Sequence, residues 1–189
     1  MTYHIDEVLL KKAMSGDMAS FERLIINHEK LVYNACFRIM GDQEDAKDAS
    51  QEVFIKLYKN IDKCNNLNTF KAWLYRIIHN CCIDLIRKKK GKKTLSIDKM
   101  LDTPEGEMEQ QIKSTELSPE EEYLQKEAAS NIQRAITKLS DDYRTLVVLR
   151  DIQGLSYEEI SAALDIPMGT VKSRISRSRQ KLKSLLAEG

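Results

Sequence analysis

The chain has 189 residues, of which 42% are hydrophobic and 31% charged, with only 7 glycines and 3 prolines. That is a globular, helix-rich balance that suits one ordinary domain or two small ones. No stretch approaches the length of a membrane span and Met1 to Leu10 lacks the apolar run of a secretory leader, so a soluble, cytoplasmic protein is expected. A net charge of +1 conceals segregation: Arg87 to Lys93 is basic, Asp98 to Glu122 strongly acidic, and the tail from Lys172 to Lys183 basic again. Basic blocks on either side of an acidic one imply two anion-binding surfaces joined by a segment that avoids nucleic acid.

A helical period runs through almost the whole sequence, with no sustained two-residue alternation. Ile5 to Ser15 reads as a short helix ended by Gly16, and Asp17 caps the next. That second helix reaches Met40 and aligns Phe21, Leu24, Ile25, His28, Leu31, Val32, Ala35 and Ile39 along one stripe. Gly41 stops it, and Asp42 with Asp45 suggests a capping box for a third helix. The third helix turns Ala46, Ala49, Val53 and Leu57 inward, with Tyr58 at the margin of that face. Asp62 to Asn68 is a polar loop, after which Asn68 or Thr69 caps a long helix to about Lys90.

From Thr94 to Leu117 there is Pro104, Gly106, many carboxylates and no coherent apolar face, the composition of a linker. Helix resumes at Ser118-Pro119-Glu120-Glu121, where a serine cap, a proline in the first turn and a capping glutamate coincide. The expected architecture is therefore all-α, in two small helical domains: 1–93, then a flexible acidic linker 94–117, then 118–189.

Leu155 to Arg174 holds the most specific local pattern. Ser156 and Glu159 form a capping box for a short helix ending near Leu164, Asp165 to Pro167 makes a tight turn, and a second helix follows. Ile160, Leu164, Ile166, Val171 and Ile175 are spaced to meet between two steeply crossing helices, which is a helix-turn-helix. On the second helix Val171, Ile175, Ser178, Leu182 and Leu185 share the inward face. Lys172, Ser173, Ser176 and Arg177 lie opposite, near the N-terminal end, where they can reach bases or phosphates in a major groove. Arg174, Arg179 and Lys183 suit phosphates, which set affinity rather than sequence preference.

Other chemistry finds little support. Cys36, Cys64, Cys81 and Cys82 show no metal-ligand spacing and read as small core residues of a reducing compartment. His4, His28 and His79 are scattered, with no HExxH and no paired nucleophile and base. Neither an enzyme nor a cofactor is expected.

Three motifs resemble one family. Asp48-Ala49-Ser50-Gln51-Glu52-Val53-Phe54-Ile55-Lys56-Leu57-Tyr58 looks like the polymerase-clamp helix of sigma factors. Phe70-Lys71-Ala72-Trp73-Leu74-Tyr75-Arg76-Ile77-Ile78-His79-Asn80 resembles their promoter-melting helix, and Leu155 to Arg177 their −35-reading helix-turn-helix. Order and spacing also agree, and with two domains only the chain resembles the extracytoplasmic-function group of the sigma-70 family.

The resemblance implies that Asp48, Gln51, Glu52, Val53, Phe54, Ile55 and Lys56 bind core RNA polymerase, whose contact points are the clamp of the largest subunit and the flap of the second largest. It implies −35 contacts from Lys172, Ser173, Arg174, Ser176, Arg177 and Arg179. It further implies −10 recognition and melting by Lys63, Asn65, Asn66, Asn68, Lys71, Trp73, Arg76, Asn80 and Arg87, with the asparagine-rich loop holding a flipped base. Trp73 and Tyr75 could stack on bases or fill the core, Tyr75 leaning to the core. Asp84 departs from the family pattern, since a carboxylate facing DNA needs a cytosine amino group or a basic neighbour. Partners implied are core polymerase, double- and single-stranded promoter DNA, and an anti-sigma factor, often membrane-anchored in the family. The competing reading is a one-component regulator that binds an operator without polymerase.

Overall fold

The computed structural model describes residues 6–64, 67–95 and 119–187, and every regular element among them is helical. Helix α1 spans Glu7–Met14, α2 Met18–Met40, α3 Gln43–Asn60 and α4 Leu67–Leu95; α5 spans Pro119–Thr137, α6 Asp141–Val147, α7 Tyr157–Leu164 and α8 Met168–Ala187. A short 3-10 turn, Ile61–Lys63, leads out of α3, and a π-helical turn, Val148–Ile152, extends α6.

Aspartates open the first three helices. Asp6 accepts from the backbone N–H of Leu9 at 3.0 Å, Asp17 from Ser20 at 3.2 Å and Asp42 from Asp45 at 2.9 Å, each satisfying a donor that the first helical turn leaves without a partner. Asp45 departs from the expected reciprocal box: its carboxylate turns across to the Lys89 ammonium. Gly41 closes α2 in the left-handed region, at φ 78°, with its N–H on the Phe37 carbonyl at 2.8 Å.

The first module packs α2, α3 and α4. Leu24, Val32 and Ile39 of α2, Ala46, Ala49, Val53 and Leu57 of α3, and Phe70, Leu74 and Ile78 of α4 are all at most 1% exposed. The alanines on α3 let the helices approach closely, and each large side chain removed from water contributes about 1.5–3 kcal/mol. Val53 is fully buried in this core. Its assignment to the polymerase surface is thereby corrected, because its side chain reaches no solvent. Tyr58 departs the other way, 52% exposed with its ring against Phe21.

Two boundaries move. The loop read over Asp62 to Asn68 is shorter, since α4 already begins at Leu67; and α4 passes beyond Lys90 through Gly91 to Leu95, taking the first two residues of the segment read as linker. Residues 96–118 lie outside the described residues, as do Asn65 and Asn66.

In the second module Ile136 and Leu139 near the end of α5, Leu146 to Leu149, Leu155, Ile160, Val171 and Ile175 form the core. The helix-turn-helix closes as read: Ser156 and Glu159 make the reciprocal box and Asp165 takes the left-handed conformation, at φ 55°. Pro167 precedes α8 and accepts from the Val171 N–H at 3.0 Å.

The two modules pack against each other. The Arg144 guanidinium of α6 donates to the Ile39 carbonyl of α2 at 2.8 Å while also holding the Thr137 and Leu139 carbonyls at 2.5 and 3.0 Å. Arg38 donates to the Gln133 side chain at 2.9 Å, and Lys90 pairs with Asp141 at 2.6 Å. Helix α4 also meets α7 and the segment before it: Tyr75 donates to Gln153, just past the π-helical turn, at 2.8 Å, and Lys71 pairs with Glu159 of α7 at 3.2 Å.

Candidate nucleic-acid and protein-binding surfaces

Three surfaces carry the side chains singled out in the sequence. The first is the N-terminal half of α8. With Val171, Ile175 and Ser178 buried, Lys172, Ser173, Ser176, Arg177 and Arg179 stand exposed on the opposite side. Several cations there are already oriented by the protein. The Arg174 guanidinium lies 3.8 Å from Asp142, and Arg179 forks onto Asp151, its Nε donating at 3.2 Å. Lys172 sits 5.9 Å from the centre of the Tyr157 ring, with the Arg150 guanidinium 4.6 Å from the same centre. Arg150, Tyr157, Asp142 and Asp151 were not among the sequence candidates. Their signal is weak, because they come from α6, the π-helical turn and α7, and only the fold brings them to α8.

The second surface is a groove of about 390 Å³ between the end of α3 and α4, lined by Lys56, Asn60, Lys63, Trp73, Ile77, Asn80 and Asp84. Trp73 is half-buried, one side tilted against Phe70 at 5.9 Å and the other facing the groove. Asn80 is exposed at its wall. The Lys56 ammonium lies 3.8 Å from the Asp84 carboxylate, which supplies the basic neighbour that an acid on this face requires. Lys63 donates to Asn60 at 2.8 Å. A flat apolar wall flanked by amide, carboxylate and ammonium groups matches an unpaired base, which has π faces and an edge of donors and acceptors. Asn68 lies in α4, but its side chain, like Asn65 and Asn66, falls outside the described residues.

Not every −10 candidate joins that groove. Arg87 is exposed further along α4. Tyr75 is 1% exposed, so it belongs to the core, and burial pushes its hydroxyl well above the usual tyrosine range. Lys71 and Arg76 point to the second module: Lys71 to Glu159, and Arg76 to the backbone carbonyls of Ala162 and of Ala163, the latter at 3.3 Å.

The third surface is a neighbouring groove of about 330 Å³ on α3 and α4, lined by Asp48, Gln51, Glu52, Ile55, Lys56, Cys81, Asp84, Leu85 and Lys88. Asp48 and Gln51 are exposed and Ile55 is 46% exposed, whereas Phe54 packs partly against the core. Lys56 lies 3.7 Å from Glu52 and with Asp84 belongs to both grooves, so one ion pair forms the ridge between them. The cysteines are all buried and free, and no cluster of His, Cys, Asp or Glu among the described residues could hold a metal ion. Nor is any described helix long and apolar enough to cross a membrane.

Comparison with known proteins divides the chain along the same lines. Residues 24–92 match Sigma-70 region 2, and residues 129–182 match Sigma-70 region 4. Over 179 residues the chain is 38% identical to the ECF RNA polymerase sigma factor SigW of Bacillus subtilis, covering 95% of each chain. It is 35% identical to the ECF RNA polymerase sigma-E factor of Escherichia coli K12, covering 94% of this chain and 92% of that one. Among solved structures, the sigma factor RpoE in complex with the anti-sigma factor NepR from Bartonella quintana superposes with a TM-score of 0.67 at 25% identity, over 88% of this chain and 96% of that one. CnrH, solved with the cytosolic domain of CnrY, shares the fold at a TM-score of 0.68 and 24% identity, over 97% of each chain.

Proposed function

The chain belongs to the extracytoplasmic-function group of the sigma-70 family, and from that premise we propose how its surfaces divide the work of an alternative sigma factor. Such a factor binds core RNA polymerase, recognises the −35 and −10 elements and starts transcription. The observation that carries this reading is the end-to-end likeness to SigW, 38% over 95% of both chains, with both sigma-70 regions present. The one-component regulator is not favoured, because it would have no use for region 2.

The division of labour follows from chemistry. The groove along Asp48, Gln51, Glu52 and Ile55 receives the polymerase clamp, with carboxylates for basic partner residues and an isoleucine for apolar contact. Lys172, Ser173, Ser176 and Arg177 read the −35 duplex, while Arg174 and Arg179 hold phosphates. The groove at Trp73, Asn80 and Asp84 takes an unpaired −10 base, so that binding free energy alone offsets the cost of unpairing and unstacking it. The working units are 1–95 and 118–189, joined through the acidic 96–117 segment. Action on core polymerase places the factor in the cytoplasm. An anti-sigma factor, like the NepR bound to RpoE, would cover the polymerase-binding faces.

Run-off transcription with purified core enzyme on a promoter library tests this. Enrichment of a bipartite promoter is expected, and permanganate-reactive thymines should mark opening near −10. Asn80→Ala should impair opening more than closed-complex binding. An absence of association with core enzyme would overturn the assignment.

A further inference from the structure

One aromatic ring serves two cations at the start of the helix-turn-helix. Tyr157 is the first residue of α7, and its ring packs partly against the core of the second module. The reciprocal box of Ser156 and Glu159 fixes the helical turn from which that ring projects. The Arg150 guanidinium lies 4.6 Å from the ring centre and donates to the Leu155 carbonyl at 2.5 Å, so two contacts hold it. The Lys172 ammonium lies 5.9 Å from the same centre, and Lys172 is exposed on α8. Glu158 completes the group. Hydrogen bonds to its own backbone N–H and to Ser156 hold its carboxyl below the usual carboxylate range, and Lys172 and Arg150 act in the same direction.

A lysine carries its charge on a long flexible stem, and fixing that stem against a base costs rotamer entropy. The negative face of an aromatic ring attracts an ammonium within about 6 Å, which narrows the directions the stem samples before DNA arrives. Two like charges beside one ring would repel each other, and the Glu158 carboxylate offsets that repulsion. We propose that Tyr157 is a positioning residue for −35 reading: its ring holds the Lys172 ammonium where α8 meets base edges, and it sharpens base preference without touching DNA itself. The proposal rests on the −35 role given to Lys172. It adds a residue of the first helix of the motif to a preference otherwise assigned to the second.

The test uses holoenzyme assembled from core polymerase and the full-length chain, titrated onto promoters that differ at single −35 positions. The readout is the affinity ratio between preferred and substituted base pairs at each position. A ring–ammonium contact at an exposed site corresponds to a factor of about two to five. Tyr157→Leu should lower the ratio by that factor at the position Lys172 reads, with the other positions and the salt dependence unchanged. Tyr157→Phe keeps the ring and should keep the ratio. Fluorinated phenylalanines in place of Tyr157 weaken the ring face but preserve its shape, so the ratio should fall stepwise with fluorine number even where the leucine variant folds poorly. In a Lys172→Ala background, loss of the ring should change nothing further, because no ammonium is left to hold. A ring that only packed the core would exact the same loss in both backgrounds, and that result overturns the proposal. So does a ratio indifferent to fluorination, or a loss in Tyr157→Phe, which would make the hydroxyl a DNA contact. Lys172→Ala by itself separates the two readings. If it leaves every ratio intact, the −35 role of Lys172 falls and the positioning role with it; if it lowers one ratio and the ring acts independently, only the positioning role falls.

Discussion

Arg144 carries no motif in the sequence, yet its guanidinium joins the two modules. It ties the end of α2 to the end of α5 through three carbonyls, one of them 105 positions away in the chain. No local pattern encodes a partner that distant, which is why it went unnoticed. Burial lowers its affinity for a proton below the ordinary arginine range, but the guanidinium stays charged and its hydrogen bonds are charge-assisted. Arg144→Met should therefore lower stability by about 2–4 kcal/mol in urea titration, since three carbonyls lose their donor. Arg144→Lys should recover only part, having no planar fork. A loss below the titration error would show that water replaces the guanidinium freely. His28 gives a second expectation. Burial favours its neutral ring, with Nδ1 2.7 Å from the Leu24 carbonyl, and burial acts the same way on His79. The unfolded state then binds more protons, so stability present above the unfolded value of about 6.5 is lost as pH falls through the lower folded value. His28→Gln should flatten that decline between neutral and mildly acidic pH without removing it, because His79 still titrates.

Helices with strong punctuation were legible almost to the residue. Asp17, Gly41, Asp42 and the Ser156–Glu159 box all mark ends where the structure has them, because caps act within four residues and the sequence shows both partners. Where punctuation is missing, the reading slipped: α4 runs through Gly91 to Leu95, since one glycine costs about 1 kcal/mol and does not stop a helix. Val53 slipped for another reason, as a motif borrowed as a continuous string includes the inward side of its helix. On α8 the facing of each residue was legible from its period, but the acids that hold its arginines were not. Asp151 lies 28 positions before Arg179, on the π-helical turn. Asp151→Asn should release that guanidinium to a phosphate. The slope of log affinity against log salt for duplex DNA should then steepen by up to about one unit, with sequence preference unchanged. An unchanged slope would mean that Arg179 already reaches DNA despite Asp151.

At the level of the molecule, the sequence separates two helical modules correctly and says nothing of how they meet. Charge segregation and the acidic segment are properties of single stretches. The seam between the modules is made of pairs such as Arg38 with Gln133 and Lys71 with Glu159, each drawn from polar positions that would serve equally well facing water. Gly41 offers a way to test the seam without touching charge. It sits at φ 78°, and a methyl group added there would run into the side chain of Thr137 from α5. Gly41→Ala therefore carries two penalties: about 1–2 kcal/mol for holding an L-residue in the left-handed region, and a clash that exists only while the modules touch. Thr137→Ser removes the methyl that is struck and leaves the hydroxyl that donates to the Arg134 carbonyl at 2.9 Å. In a double-mutant cycle followed by urea unfolding, Thr137→Ser should rescue the steric part of the Gly41→Ala loss and leave the backbone part. The coupling should then be at least about 0.5 kcal/mol, above the scatter expected of independent sites. High salt should shrink it, because screening weakens the ion pairs that keep the two faces together. Strict additivity at low salt would place Gly41 and Thr137 apart in solution, and the seam would have to be abandoned even though each module kept its fold.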